Sequence, residues 1–264
     1  MVKSKIIVCI PARYASTRFP AKVLAKDTGK FLIQHVYEQA KLAKLPSQVI
    51  IAADDKRIAD AAKSFGAECI MTSPACPSGT DRIAEAVQKL SAERCPLNAD
   101  DVVVNLQGDE PEIDPANIDI VAKLLVDNVK SQMATLAADF ETSEQIADPN
   151  IVKVIISQNA ERSTQYAIYF SRSVIPYDRQ RAGIGPVKNY LRHLGIYAYR
   201  KDFLLKITKL AQTPLEKIEK LEQLRAVENG FEILVAKVKH TCAGIDTPEQ
   251  YAEFVKRYNR SKHV

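Results

Sequence analysis

Apolar runs of strand length alternate with helical patterns through roughly the first 130 residues, and no other feature narrows the fold as much. Ile6–Ile10, Val49–Ala53, Cys69–Met71 and Val102–Leu106 are near-continuous apolar stretches. Parallel strands covered on both faces read this way. Helical patterns follow them at Phe31–Leu42, Lys56–Phe65, Thr80–Ala92 and Pro115–Val129. The second of these starts behind Asp54 and Asp55 and stops before Gly66, a start and a stop signal in the right order. The alternation predicts an α/β fold: a doubly wound, mostly parallel sheet with right-handed crossovers.

The pattern changes near Met133. Met133–Phe140, Val152–Ser157, Gln165–Phe170 and Leu194–Tyr199 read as β segments with no clear helix between the middle ones. They predict a mixed or antiparallel extension of the sheet. Arg179 to Asn189 holds two glycines and a proline and reads as a mobile loop. Helices return at Lys201–Leu210 and Leu215–Asn229, the latter closed by Gly230. Phe231–Lys237 reads as a strand, and Pro248–Tyr258 as a last helix with proline in its first turn. No repeat or linker interrupts the 264 residues, so residues 1–264 read as one domain, with residues 133–200 holding the mixed β extension.

Charge excludes some partners. The net charge is +5, but Lys and Arg are spread along the chain. A nucleic-acid binder concentrates its cations on one face, so an anionic small molecule is the better match. No stretch approaches the roughly 18 apolar residues that span a membrane. The start, Met1-Val2-Lys3-Ser4-Lys5, runs straight into a strand without an export signal. Cys9, Cys69, Cys76, Cys95 and Cys242 form no CxxC pair and no Cys/His cluster. An odd, scattered count fits a reducing cytoplasm, with Cys9 and Cys69 as small core residues.

The loop after the first strand, Pro11-Ala12-Arg13-Tyr14-Ala15-Ser16-Thr17-Arg18-Phe19-Pro20-Ala21-Lys22, is the densest chemical signal. Ligands of open α/β sheets bind beyond the carboxyl ends of strands. Arg13 and Arg18 offer forked donors there, and Lys22 a point charge. This predicts a phosphate site; taken as residues alone, the loop also reads as a basic surface turn. It has neither GxxxxGK[ST] nor GxGxxG, and the lack of the latter speaks against a nicotinamide-dependent oxidoreductase. Gln107-Gly108-Asp109-Glu110-Pro111 follows the fourth strand and opens on the same edge. Asp109 reads either as a turn residue or as a Mg²⁺ ligand beside phosphate. Asp246, in Gly244-Ile245-Asp246-Thr247-Pro248, reads as a helix cap that is also free to face a metal.

These segments resemble the sugar-acid cytidylyltransferases, and among them the group that uses 3-deoxy-D-manno-octulosonate (Kdo). The first loop departs from the family's usual Leu-Pro-Gly-Lys-Pro-Leu by Ala21 for glycine and Val23 for proline. The resemblance continues through Pro77-Ser78-Gly79-Thr80-Asp81-Arg82 and Asn105–Pro111. It runs on through Tyr169–Arg172, Ile175–Arg179 and Leu191–Tyr197, then Pro214–Glu216, Lys220–Arg225 and Asp246–Glu249. It implies a Rossmann-like nucleotidyltransferase fold and transfer of CMP from CTP to Kdo, for lipopolysaccharide synthesis, by a homodimer joined through the mid-chain β region. It implies that Arg13, Ser16, Arg18 and Lys22 hold the triphosphate, with Ser78 and Arg82 at the nucleotide or sugar end. Asp109 and Asp246 would share Mg²⁺.

The same resemblance assigns Gln107, Arg172, Arg179, His193, Tyr197, Glu222 and Gln223 to the sugar acid. Alone, these residues read as packing, surface or ion-pair positions. Their chemistry suits such a ligand, since a guanidinium pairs with a carboxylate in bidentate fashion, and Gln, His, Tyr and Glu are directional partners for hydroxyls. A related reading is a cytidylyltransferase for another sugar acid, such as N-acetylneuraminate. Another is a nucleotide-binding protein without catalysis, which retention of both aspartates disfavours.

Overall fold

Strands form where the apolar runs predict them. They are β1 (Ile6–Ala12), β2 (Gln48–Ala53), β3 (Glu68–Met71), β4 (Val102–Asn105), β5 (Met133–Asp139), β6 (Lys153–Ile156), β7 (Gln165–Ser171), β8 (Leu191–Arg200) and β9 (Ile233–Val238). The computed structural model describes residues 4–16, 18–157, 164–239 and 244–261. Thr17 and Cys242 lie outside the described residues. Among the described residues, these nine strands join one sheet in the order β3-β2-β1-β4-β8-β5-β9-β7-β6. The pairings make β7 and β8 run against the other seven, so the sheet is mostly parallel with a mixed second half. That half curls until β6 meets β8 through Lys153 and Arg192.

Both faces of the parallel half are buried, and β1 shows why its run is unbroken. Ile6, Val8, Ile10 and Ala12 face one side, with α1 (Leu32–Leu42) and α4 (Pro115–Asp127). Ile7 and Cys9 face the other, with α3 (Gly79–Glu93) and α6 (Lys201–Ile207). Between them in the chain, α2 (Lys56–Ser64) and α5 (Ser143–Ala147) complete the first set of helices. At the other end of the chain, α9 (Pro248–Ser261) packs Tyr251 and Phe254 with Leu32.

Three differences from the sequence reading bear on the site. First, β8 begins at Leu191 rather than Leu194, so Arg192 and His193 belong to the strand. Second, a bulge interrupts its pairing with β5: Thr135 faces Tyr197, yet Leu136 faces Leu194. The Thr135 hydroxyl donates to the Ile196 carbonyl at 2.8 Å, which satisfies a group that the bulge leaves off the ladder. Third, the helix expected over Leu215–Asn229 is two helices, α7 (Pro214–Glu219) and α8 (Gln223–Glu228). Lys220 between them is left-handed at φ 54°. Two buried charges hold the corner together: Arg225 Nε donates to Glu216 Oε2 at 2.9 Å. The Arg179–Asn189 loop is also less irregular than expected, with a 3₁₀ turn at Val187–Asn189 and an Asp178–Gly183 bridge.

Candidate active site

The crossover from β1 leads to β2 and β3 on one flank, while β4 pairs on the other. Loops leaving β1 and β4 therefore diverge and open a crevice at their carboxyl ends. Gly108 lets the two loops close up at its base: a Cβ there would lie 2.8 Å from the Pro11 carbonyl oxygen. The Ile245 amide donates to the Asp109 carbonyl at 2.8 Å, stitching the C-terminal segment to the β4 loop.

Asp109 and Asp246 meet in this crevice. The Lys22 ammonium lies between them, 2.7 Å from Asp109 Oδ2 and 3.2 Å from Asp246 Oδ1. Arg18 Nη2 reaches the same Asp246 oxygen at 3.0 Å. Asp246 does not cap α9. Thr247 does: its hydroxyl accepts from the Gln250 amide at 3.3 Å while Gln250 Oε1 accepts from the Thr247 amide at 3.1 Å. This reciprocal box leaves the Asp246 carboxylate to the crevice.

A cavity of about 370 Å³ lies over the β1 loop, and all seven expected nucleotide residues line it: Arg13, Ser16, Arg18, Lys22, Ser78, Arg82 and Asp109. Ser78 caps α3, accepting from the Asp81 amide at 3.2 Å and donating to its carboxylate at 2.7 Å. Arg82 is buried and bound to Asp54 at 3.1 Å and to the Thr72 hydroxyl at 2.7 Å. Asp54 also accepts from the Tyr14 amide at 2.8 Å, tying the β1 loop to α3. The sequence marks Asp54 only as part of a helix start; Asp55 alone caps α2. The loop turns through Ala21 at φ 53°, a left-handed conformation that glycine adopts without strain and alanine does not.

A second cavity of about 670 Å³ adjoins the first, and Gln107, Asp109, Glu222 and Asp246 line both. Arg172, His193, Tyr197 and Gln223 line the second alone, joined by Arg192, which the sequence does not mark. Arg172 is held by two carbonyls, Glu219 to its Nε at 2.7 Å and Pro149 to its Nη1 at 3.1 Å. Glu222 accepts from the Thr80 hydroxyl at 2.7 Å. Gln223 is buried, and its Nε2 has no partner among the described residues, a donor that a ligand oxygen would satisfy.

His193 Nε2 is 2.9 Å from the Thr135 hydroxyl oxygen. That hydroxyl spends its hydrogen on Ile196, so it accepts from Nε2–H and leaves Nδ1 as an acceptor. The ring packs edge-on against Phe170, with centroids 4.9 Å apart. Loss of water pushes the imidazole pKa down to about 3, so it is neutral at ordinary pH. Burial likewise pushes the Tyr197 phenol up. Arg179 is the exception among the expected residues. It is exposed and lines neither cavity, because the Asp178 carboxylate gathers the Gln180 and Arg181 amides at 3.0 and 3.1 Å into a closed surface turn.

A cation-rich loop, a carboxylate pair and a polar cavity thus share one crevice, and comparison with known proteins gives the class. The chain belongs to the cytidylyltransferase family, whose model matches residues 7–235. It is 47% identical over 245 residues to the 3-deoxy-manno-octulosonate cytidylyltransferase of Solibacter usitatus, covering 93% of this chain and 91% of that one. With the enzyme of the same description from Thermodesulfovibrio yellowstonii it shares 48% over 247 residues, covering 92% and 94%. Among solved structures it resembles CMP:2-keto-3-deoxy-manno-octonic acid synthetase complexed with CTP, at 38% identity and a TM-score of 0.86 over 98% of this chain and all of that one.

Two measurements follow from this geometry. Replacing Ala21 with glycine relieves the left-handed strain and should raise unfolding stability by about 1 kcal/mol, read by urea denaturation; no gain would show that the loop holds φ > 0 without cost. The unfolded chain protonates His193 near pH 6.5, whereas the native chain refuses that proton until about pH 3. Native stability is therefore lost as pH falls through that window. His193→Gln should remove ~2 kcal/mol of the loss between pH 8 and pH 5; equal slopes in wild type and variant would contradict the burial of this ring.

Proposed function

We propose that this protein transfers CMP from CTP to the C2 hydroxyl of Kdo, giving CMP-Kdo and pyrophosphate. One observation carries the reading. Asp109 and Asp246, far apart in the chain, share a cation at the junction of a cation-lined cavity and a cavity lined by guanidinium, imidazole, phenol and amide groups. The names of the relatives agree with it. In the reaction the C2 oxygen bonds to the α-phosphorus, the bond to the bridging β-phosphate oxygen breaks, and the hydroxyl proton passes to solvent. Such transfers depend on positioning and charge stabilisation rather than on a covalent protein intermediate.

Arg13, Ser16 and Lys22 hold the triphosphate, with Arg18 beside them, and their charge stabilises departing pyrophosphate. Ser78 and Arg82 serve the nucleotide side. Arg172 pairs with the sugar carboxylate. Gln107, His193, Tyr197, Glu222 and Gln223 read its hydroxyls, His193 accepting at Nδ1. A site that bonds hydroxyls also rejects analogues lacking them.

Asp109 and Asp246 fit Mg²⁺. The Lys22 ammonium already stands between them as a cation, and no group of three or more His, Cys, Asp or Glu side chains gathers there among the described residues. Mg²⁺ takes one or two carboxylates and completes its shell with water and phosphate oxygens. When bound, it supplies neutralisation of phosphate charge and a lowered pKa for a coordinated hydroxyl. A homodimer through the mid-chain β region is supported by Ile168 and Tyr177 there, which are 52% and 63% exposed. No helix among the described residues is long and apolar enough to cross a membrane. Supply of CMP-Kdo for lipopolysaccharide in the cytoplasm is part of the same proposal.

Incubation with CTP, Mg²⁺ and Kdo should yield CMP-Kdo by mass, with little product when N-acetylneuraminate replaces Kdo. The reverse preference would overturn the substrate assignment. Asp246→Asn should cut turnover by orders of magnitude while calorimetry shows CTP affinity nearly intact. Near-normal turnover in that variant would reject the shared carboxylate pair.

A further inference from the structure

We propose that Glu219 is a positioning residue for the sugar acid: it fixes the direction in which Arg172 presents its guanidinium and ties the α7–α8 corner to the end of β7. This rests on Arg172 as the carboxylate partner. Glu219 is the last residue of α7, directly before the left-handed Lys220 and the Glu222-Gln223 pair that lines the cavity. Its carboxylate takes two donors from the end of β7, 47 and 48 residues away in the chain. The Ser171 hydroxyl donates to Oε1 at 2.6 Å and the Arg172 amide to Oε2 at 2.9 Å. Its backbone carbonyl then takes Arg172 Nε at 2.7 Å. One residue therefore grips the strand end by its side chain and the guanidinium by its main chain.

The far side of Arg172 is built just as deliberately. Nη1 donates to the Pro149 carbonyl at 3.1 Å. The fully buried Lys153 holds that turn, donating to the carbonyls of Asp148 at 3.0 Å and Ile151 at 2.8 Å. With Nε and one Nη1 hydrogen committed, the edge without a partner among the described residues is Nη2 and the second Nη1 hydrogen. That edge is an end-on fork for a carboxylate. Were the Glu219 carboxylate weakened, the strand end and the corner would separate, and the fork would lose its aim although Arg172 remained. Misplacement of a binding group by a fraction of an ångström is felt in the reaction it serves.

Steady-state kinetics in CTP and in Kdo test this. Glu219→Gln keeps the side chain's volume but removes the negative charge that the Ser171 hydroxyl and the Arg172 amide share. It should raise KM for Kdo about tenfold, the loss of one charge-assisted hydrogen bond, and leave KM for CTP within about twofold. Arg172→Ala and the double variant complete a cycle. If Glu219 acts through Arg172, Glu219→Gln adds nothing in the Arg172→Ala background. Additive losses, an unchanged KM for Kdo, or an equal rise in KM for CTP would each overturn the proposal. If Arg172→Ala itself leaves KM for Kdo unchanged, the assignment of Arg172 fails first, and the two failures are told apart. Should Glu219→Gln fail to fold, Ser171→Ala removes one donor to the same carboxylate. It should show the same one-sided rise, smaller in size; a normal KM for Kdo there overturns the proposal.

Discussion

The parallel register between β1 and β4 is the constraint on which the rest depends. Val8 opposite Val104 and Cys9 opposite Asn105 fix the stagger of the two strand ends, with β1 running on to Ala12 past the end of β4. The Pro11 carbonyl then meets Gly108 so closely that no side chain fits between them. From that contact the basic loop rises on one side and the acidic loop on the other. The next pairing extends the same logic. Asn105 lies opposite Tyr197 on β8, so the antiparallel strand delivers Tyr197 and His193 to the crevice that the parallel pair opened. A slip of one residue would turn both side chains to the other face of the sheet.

Electrostatics in the crevice are balanced within the protein. Arg82 is matched by Asp54 in a buried pair, whereas Lys22 and Arg18 converge on Asp246, and Lys22 also on Asp109. The cations of the basic loop are thus partly spent on carboxylates. On the proposed reading, Asp109 and Asp246 would hold a divalent cation, and Lys22 and Arg18 would then be available to phosphate. Carboxylates beside a phosphate site would otherwise repel the substrate. Here cations reach them from the protein itself.

Much of this was legible in the sequence, and the failures share a cause. The buried strands of the parallel half announce themselves because every residue faces a core, so β1 reads apolar throughout. The loops after β1 and β4 carry their chemistry in contiguous residues, and the structure keeps them together. What could not be read were features set by distant partners. Lys220 breaks a helical pattern without glycine or proline to mark the break. Asp246 and Thr247 are both good caps, and only Gln250 decides for threonine. Asp54 and Glu219 look like ordinary acids at helix boundaries, yet each accepts hydrogen bonds from residues far away in the chain. The surface turn that holds Arg179 away from both cavities is set by Asp178, whose side chain can serve a turn or a ligand equally well.

On the proposed assignment, the sugar side of the crevice differs from the phosphate side in how its groups are held. Arg18 and Lys22 of the basic loop bond the carboxylates of the crevice itself. Sugar-side groups are fixed by partners that no ligand needs to remove: Thr135 sets the tautomer of His193, Thr80 holds Glu222, and two carbonyls hold Arg172. A charged phosphate chain is recognised well enough by mobile cations, since charge attracts from any direction. Hydroxyls on a sugar ring are distinguished only by direction, so their readers must be immobile before the sugar arrives. The bulge in β8, the left-handed turn at Lys220 and the buried Lys153 all act to this end. On that assignment, they fix the directions of His193, Glu222 and Arg172 on the side where stereochemistry would be read.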